Sequence, residues 1–251
     1  MQLSEIFFNR HIPNPVQYYG LEVELEDAPR VETPSGWNAT TDGSLRNGIE
    51  YVLAGPKSLN ASTAALVRLR DIIERSTCSI RCSFHVHVDV RSWTMTELAN
   101  VLRCYVTFEH EFFALSGSRS GSQFCTPVVG SSVEANVRQI IRDEQYQHQN
   151  FDRVKYSALN IGHVDGFGSL EFRHHKGLES SGEGVVWLRT IAEFCAIART
   201  VSRSDLRNAL CDPTGEALHN LRLSLIPEGR LPEVDVAKCL YNFKATELGY
   251  N

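Results

Sequence analysis

Four short stretches of the chain alternate apolar and polar side chains with period two: Gly20 to Glu26, Gly48 to Leu53, Phe84 to Val90 and Ser169 to Arg173. In a strand, successive side chains point to opposite faces. Leu21, Val23 and Leu25 therefore share one face, and Glu22, Glu24 and Glu26 the other. The same split sets Phe84, Val86, Val88 and Val90 against His85, His87 and Asp89, and sets Leu170 and Phe172 against Glu171 and Arg173. Helical spacing of apolar residues predicts helices over 60–75, 96–115, 132–146 and 183–201. Thr94, followed three residues later by Glu97, fits a capping box at the start of the second. Strands at 18–26 and 47–53 are joined by a connection through Trp37. Strands at 156–161 and 169–173 flank Asp165-Gly166 as a hairpin, and 117–122 is a Gly/Ser loop. One-sided alternation and the short 162–168 connection favour antiparallel pairing, so the fold class is α+β, with helices on the apolar face of one sheet.

The second face changes the picture. A merely wet face mixes Lys, Thr, Ser and Gln. The four strands instead carry five Glu, two His and one Asp against a single Arg. Such groups repel one another without a cation. Hard divalent ions take carboxylate oxygens together with substrate phosphates, and a planar arginine fork two residues beyond Glu171 would clamp a phosphate. His85-Val86-His87 also fits the start of a zinc hydrolase site, but His174 and His175, adjacent in a strand, would point to opposite faces, and His110, His148 and His219 fall in helices or loops. The carboxylate excess favours a hard metal. Asp42-Gly43-Ser44-Leu45 reads equally as a plain turn. Arg119 reads equally as a phosphate contact or a solvated loop arginine, and Arg153 and Asn160, flanking Tyr156, are similar.

Composition narrows the classes. The 251 residues are 42% hydrophobic and 22% charged, with a net charge of −5 that disfavours nucleic-acid and anionic-membrane partners. No signal-peptide core or membrane span is expected. Seven cysteines without a CxxC pair read as reduced thiols in a cytoplasmic protein; Cys78 and Cys82 are the closest pair. The segments divide into an N-terminal arm (1–17), a catalytic domain (18–202) and a C-terminal helical extension (203–251) packed on the same domain.

Taken together, Gly20-Leu-Glu-Val-Glu24, Asp42-Gly-Ser-Leu45 with Glu50-Tyr-Val, His85-Val-His87, Arg119 with Cys125, Tyr156 with Leu159-Asn160, and Glu171-Phe-Arg173 with Gly177 make the chain resemble the amidoligase family. That family belongs to the glutamine synthetase/glutamate–cysteine ligase superfamily. The resemblance spans roughly residues 20–200. It implies an antiparallel sheet of the glutamine-synthetase catalytic-domain type, ATP, and Mg²⁺ or Mn²⁺ held by Glu22, Glu24, Glu50, His85 and Glu171. It further implies that His85, His87, Arg173 and Asn160 contact the cofactor, and that Arg173, Arg119 and Glu50 serve catalysis. The implied reaction joins an amino-acid or peptide carboxylate to an amine through an acyl phosphate, in a protein that can be oligomeric. A metal-dependent hydrolase built on the HxH strand and a non-catalytic nucleotide- or peptide-binding module are the alternatives. Two departures stand out: Cys82-Ser83-Phe84 replaces a Gly-containing lead into HxH, and Asp89 follows where a small residue is common.

Overall fold

The computed structural model describes residues 1–13, 16–117, 119, 121–146, 156–227 and 235–248. Among these, seven strands form one open antiparallel sheet and nine helices surround it. The strands are β1 (Tyr18–Glu26), β2 (Trp37–Asp42), β3 (Gly48–Leu53), β4 (Lys57–Ser58), β5 (Ser83–Asp89), β6 (Leu159–Asn160) and β7 (Ser169–Lys176). Their order is β2-β3-β1-β5-β7-β6, with β4 pairing the start of β1. The helices are α1 (Leu3–Phe8), α2 (Leu59–Arg68), α3 (Arg70–Ile73), α4 (Met95–Leu115), α5 (Glu134–Asp143), α6 (Ser181–Ala198), α7 (Arg203–Cys211), α8 (Glu216–Leu225) and α9 (Val236–Leu248).

The core lies between the sheet and its helices. Leu21, Val23, Leu25, Phe84, Val86, Val88, Leu170 and Phe172, the apolar half of the alternation, are all buried there. Against them pack Leu98, Leu102, Tyr105 and Phe112 of α4 with Leu188, Ile191 and Phe194 of α6. The Thr94–Glu97 capping box opens α4, satisfying N–H groups that have no partner within the helix.

Several elements differ from the sequence pattern. The connection before residue 47 contains a strand, β2, which reaches the core through Trp37; its indole donates to Ala65 O at 3.1 Å. Of its remaining residues, Asn38 to Thr41 are exposed and Asp42 is half-buried, so they carry no apolar alternation. The helix expected over 60–75 divides at Leu69 into α2 and α3. The strand expected over 156–161 shortens to Leu159–Asn160, and that over 169–173 runs on to Lys176. His148 and Arg153 lie outside the described residues.

The register explains the end of β7. Phe84 pairs with His175 but Val86 with Phe172, so Arg173 and His174 together oppose His85 in a β-bulge. The alternation resets there, and both His174 and His175 turn to the helix side, not to opposite faces. Their ring centroids lie 6.1 and 5.4 Å from that of Trp187. Tyr105 Oη bridges His174 Nε2 and Glu109 Oε1, each at 2.8 Å. Burial pushes the His174 imidazole down to about 3 and the Glu109 carboxyl up to about 7, so the folded protein favours both groups in neutral form near pH 6.

Candidate functional site

The polar face of the sheet is one row of facing side chains. Antiparallel register sets Glu24 beside Glu50, Glu22 beside His85, Gly20 beside His87, His87 beside Glu171, and Glu171 beside Asn160. Gly20 matters here because a Cβ at that position would sit 3.2 Å from His87 Cβ. Gly48 matters at the other end: a Cβ there would lie 2.1 Å from Leu45 Cβ. The glycine thus lets the 42–45 segment fold back on β3 and brings Asp42 to Glu50.

Two groups of converging ligand atoms result. Glu22, His87 and Glu171 form one; Glu24, Asp42 and Glu50 form the other; within each, the atoms lie within 4.8 Å of one another. His85, buried between them, places Nδ1 3.0 Å from Glu22 Oε2 and 3.3 Å from Glu171 Oε1. His87 Nε2 is 3.1 Å from Glu22 Oε1. Glu171 is held on every side: Arg173 Nη1 donates to Oε1, Asn160 donates to Oε2 at 2.7 Å, and His163 Nε2 is 3.4 Å from Oε2. Ser83 Oγ donates to Glu24 and lies 2.7 Å from His85 Nε2.

Charge is unevenly balanced along the row. Burial pushes the Glu22 carboxyl up, but the hydrogen bonds and charges of His85 and His87 outweigh it and hold Glu22 well below the usual carboxylate range. Glu171 is likewise held low, as Arg173, His87 and His163 overcome its burial. Burial lowers His87, yet Glu171 and Glu22 bring it above its ordinary value. Glu50 has no such partner. Burial first, then the charges of Glu22, Glu24, Asp42 and Glu171, push it up to about 7. The Glu24–Asp42–Glu50 end is therefore the part of the row a divalent cation would relieve most, and its three oxygen donors suit Mg²⁺ or Mn²⁺. The imidazole-bearing group at the other end accepts Mn²⁺ as readily as Mg²⁺.

A cavity of about 400 Å³ opens on each side of Glu22. The first holds the carboxylates Glu24, Asp42 and Glu50 together with Arg81, Arg119 and Arg173. Arg119 is 2% exposed; its Nη1 donates to Arg173 O at 3.3 Å, while its Nε meets no acceptor among the described residues. The second cavity is more apolar, walled by Val52, Pro56, Phe167 and His163, with His87 at its base.

Of the residues expected from sequence, Glu22, Glu24, Glu50, His85, His87, Glu171, Arg119 and Arg173 meet on this groove. Asn160 is fully buried behind Glu171 and lines neither cavity; its oxygen takes the Gly162 N–H at 2.8 Å. Glu26 caps the Arg46 N–H, and Asp89 is bidentate to Arg91, so both are spoken for within the protein. Sequence reasoning missed Ser83, although period two from His85 puts it on the same face. It also missed Arg81 and His163, which come from connections with no repeating pattern.

No curated protein matches the chain. The family described as "Putative amidoligase enzyme" matches residues 52–195, which takes in His85, His87, Arg119, Asn160, Glu171 and Arg173 and stops short of Glu22, Glu24 and Glu50. No helix of the described residues is long and apolar enough to cross a membrane. With more than half its length matched, and with the HxH and ExR residues meeting on one groove, the chain belongs to the amidoligase family.

Proposed function

We propose that the protein is an ATP-dependent carboxylate–amine ligase, built on a sheet of the glutamine-synthetase catalytic-domain type, which forms an amide or isopeptide bond through an acyl phosphate. The observation that carries this reading is the pair of ligand groups along one row, Glu22–His87–Glu171 and Glu24–Asp42–Glu50, with a guanidinium-lined cavity on one side of Glu22 and a more apolar one on the other. The apolar cavity suits a nucleoside, and His163 and Phe167 offer stacking faces. The arginine-lined cavity suits the acyl substrate. Phosphates then lie across the row between them.

Divalent cations bound by the two groups would neutralise the phosphate charge that a bare carboxylate row repels. Arg173, kept in place by Glu171, and Arg119, desolvated and short of acceptors, face the cavity where the transferred phosphoryl group meets the acyl carboxylate. Their forks stabilise charge as it develops on that group. The carboxylate oxygen attacks the terminal phosphorus and the bond to ADP breaks. The amine then attacks the acyl carbon, and phosphate leaves. The acyl donor is an amino-acid or peptide carboxylate.

Thermal unfolding tests the reading. Saturating ATP at about 100 times its dissociation constant adds roughly 2.7 kcal/mol, about 5–10 °C for a chain of this length. The shift should need both ATP and Mg²⁺ and should disappear in Glu171→Gln. No response to ATP, with loss of stability on zinc chelation, would instead favour a zinc hydrolase using His85 and His87.

A further inference from the structure

The loop that leads into β5 carries two cysteines on which the ligase reading makes no demand. Cys78 is partly exposed and Cys82 fully buried. They close a tight turn: Cys82 N–H donates to Ser79 O at 3.0 Å, and Arg81 N–H to Ser79 Oγ at 3.1 Å. Gly177 sits directly over the pair. A Cβ built on it would lie 2.6 Å from Cys82 Cβ, 3.2 Å from Cys78 Cβ and 2.9 Å from Cys78 Sγ. Any larger residue there would wedge the cysteines apart. With glycine, both cysteines crowd one point: the two distances of 2.6 and 3.2 Å bound their Cβ separation at 5.8 Å, a short movement from the separation of about 3.5–4.5 Å that a disulfide requires, and Cys78 Sγ rests on Leu178 O at 3.0 Å. Gly177 N–H also donates to Cys82 O at 2.9 Å, pinning the turn to the strand that carries Arg173. Among the described residues neither cysteine joins a metal-holding group, so a zinc clip has no further ligands.

We propose that Cys78 and Cys82 form a modification site, a dithiol that a peroxide converts into a disulfide at the wall of the groove. Cys78, which has solvent access, meets the oxidant. Its sulfur attacks one peroxide oxygen as the thiol proton passes to the other; the O–O bond breaks, a sulfenic acid forms and the first water leaves. Cys82 then attacks the resulting sulfenic sulfur; the S–S bond forms, the S–O bond breaks, and the second oxygen leaves as water with the Cys82 proton. Two thiols are oxidised by two electrons in all, and one peroxide is reduced. The ring so closed holds the segment that presents Arg81 to the first cavity, where Arg81 Nη1 reaches Ser44 O at 2.9 Å, and that continues into Ser83. Disulfides of this kind in reducing compartments are transient and sensing, not structural.

Trypsin makes the test direct, because it cuts after Arg75, Arg81 and Arg91. Cys211, exposed and remote, is first changed to Ser to remove intermolecular pairing. The full-length Cys211→Ser protein is treated with hydrogen peroxide, its remaining thiols are blocked during denaturation, and it is digested without reduction. Peptides 76–81 and 82–91 should be recovered joined, two hydrogens lighter than their sum, and should separate on adding dithiothreitol. Cys78→Ala in the same background should leave Cys82 reduced, because Cys82 alone is out of reach of the oxidant. Recovery of the two peptides unlinked from the Cys211→Ser protein, with Cys78 as sulfinic or sulfonic acid or both thiols blocked, would overturn the proposal, whatever the outcome with ATP. That digest alone decides the matter even where Cys78→Ala fails to fold.

Discussion

Removing one negative charge from the carboxylate row should stabilise the metal-free protein, and Glu50 is the place to remove it. Its carboxyl titrates at about 7 against an ordinary 4.5, driven by burial and by Glu22, Glu24, Asp42 and Glu171. The folded protein thus holds this proton more tightly than the unfolded chain does. Below about pH 4.5 both states are protonated and nothing is lost. Between that point and about pH 7 stability falls as pH rises, and above it the loss is complete. At about 1.4 kcal/mol per pH unit the ceiling is about 3 kcal/mol. Glu50 is only half-buried, so solvent screening reduces this to about 1–1.5 kcal/mol, or about 3–5 °C for a chain of this length. The assay is thermal unfolding of EDTA-treated wild type and Glu50→Gln from pH 5 to 8.5. The two should lie closest at the acid end, and Glu50→Gln should be the more stable above pH 7. Titrations shared by both proteins, such as that of Glu109, cancel in the difference. Mg²⁺ or Mn²⁺ should raise the wild type most and close the gap. Parallel pH profiles with no gap would refute the idea that the row is electrostatically crowded.

Two more outcomes follow from contacts away from the groove. Tyr105→Phe removes the hydroxyl that bridges His174 and Glu109 in a buried layer, leaving both without that partner; chemical denaturation should show a loss of about 1–3 kcal/mol. Arg103 of α4 pairs with Glu247 of α9, both side chains almost wholly buried, and also donates to Ile141 O at 2.8 Å. Arg203 Nη2 also lies 2.6 Å from Glu247 Oε2 and stays when Arg103 is lost, so Arg103→Ala should cost about 1–3 kcal/mol and expose α9 to limited proteolysis before the sheet is cut; equal cleavage of wild type and variant would show that the pair does not hold the helix.

The sequence and the structure agree where local chemistry repeats. Leu21-Glu22-Val23-Glu24 and His85-Val86-His87 announce a two-faced sheet because a strand cannot help but alternate, and both their core and their groove residues lie where that alternation sends them. The Thr94–Glu97 cap is equally local. Legibility ends where the determining contact is distant. β2 is a strand because β3 pairs with it, not because Asn38 to Asp42 show any pattern. Ser83 is visible by period two but unremarkable until Glu24 and His85 are seen on either side of it. His163 and Arg81 reach the groove from turns, and their arrival depends on the path of the backbone. His174 and His175 mislead for a related reason, since simple alternation is counted across a position where the register slips.

That slip at Arg173 and His174 has a consequence for how the protein can change. The bulge acts as a phase shifter: upstream of it, odd-numbered residues of β7 face the groove, and beyond it two consecutive histidines belong to the core. Losing His174 would restore ideal pairing and keep both neighbours on their present faces, with Arg173 opposite His85 and His175 opposite Phe84, whereas losing Arg173 would bring His174 round to the groove. Elsewhere in β7 an insertion or deletion exchanges interior for active surface along the rest of the strand; the bulge is the place where one residue can go without that exchange. The Glu171–Arg173 pair needs no irregularity, since a regular strand already presents both to one side; what the extra residue adds lies behind the sheet, where it lets two neighbouring histidines join the core at once.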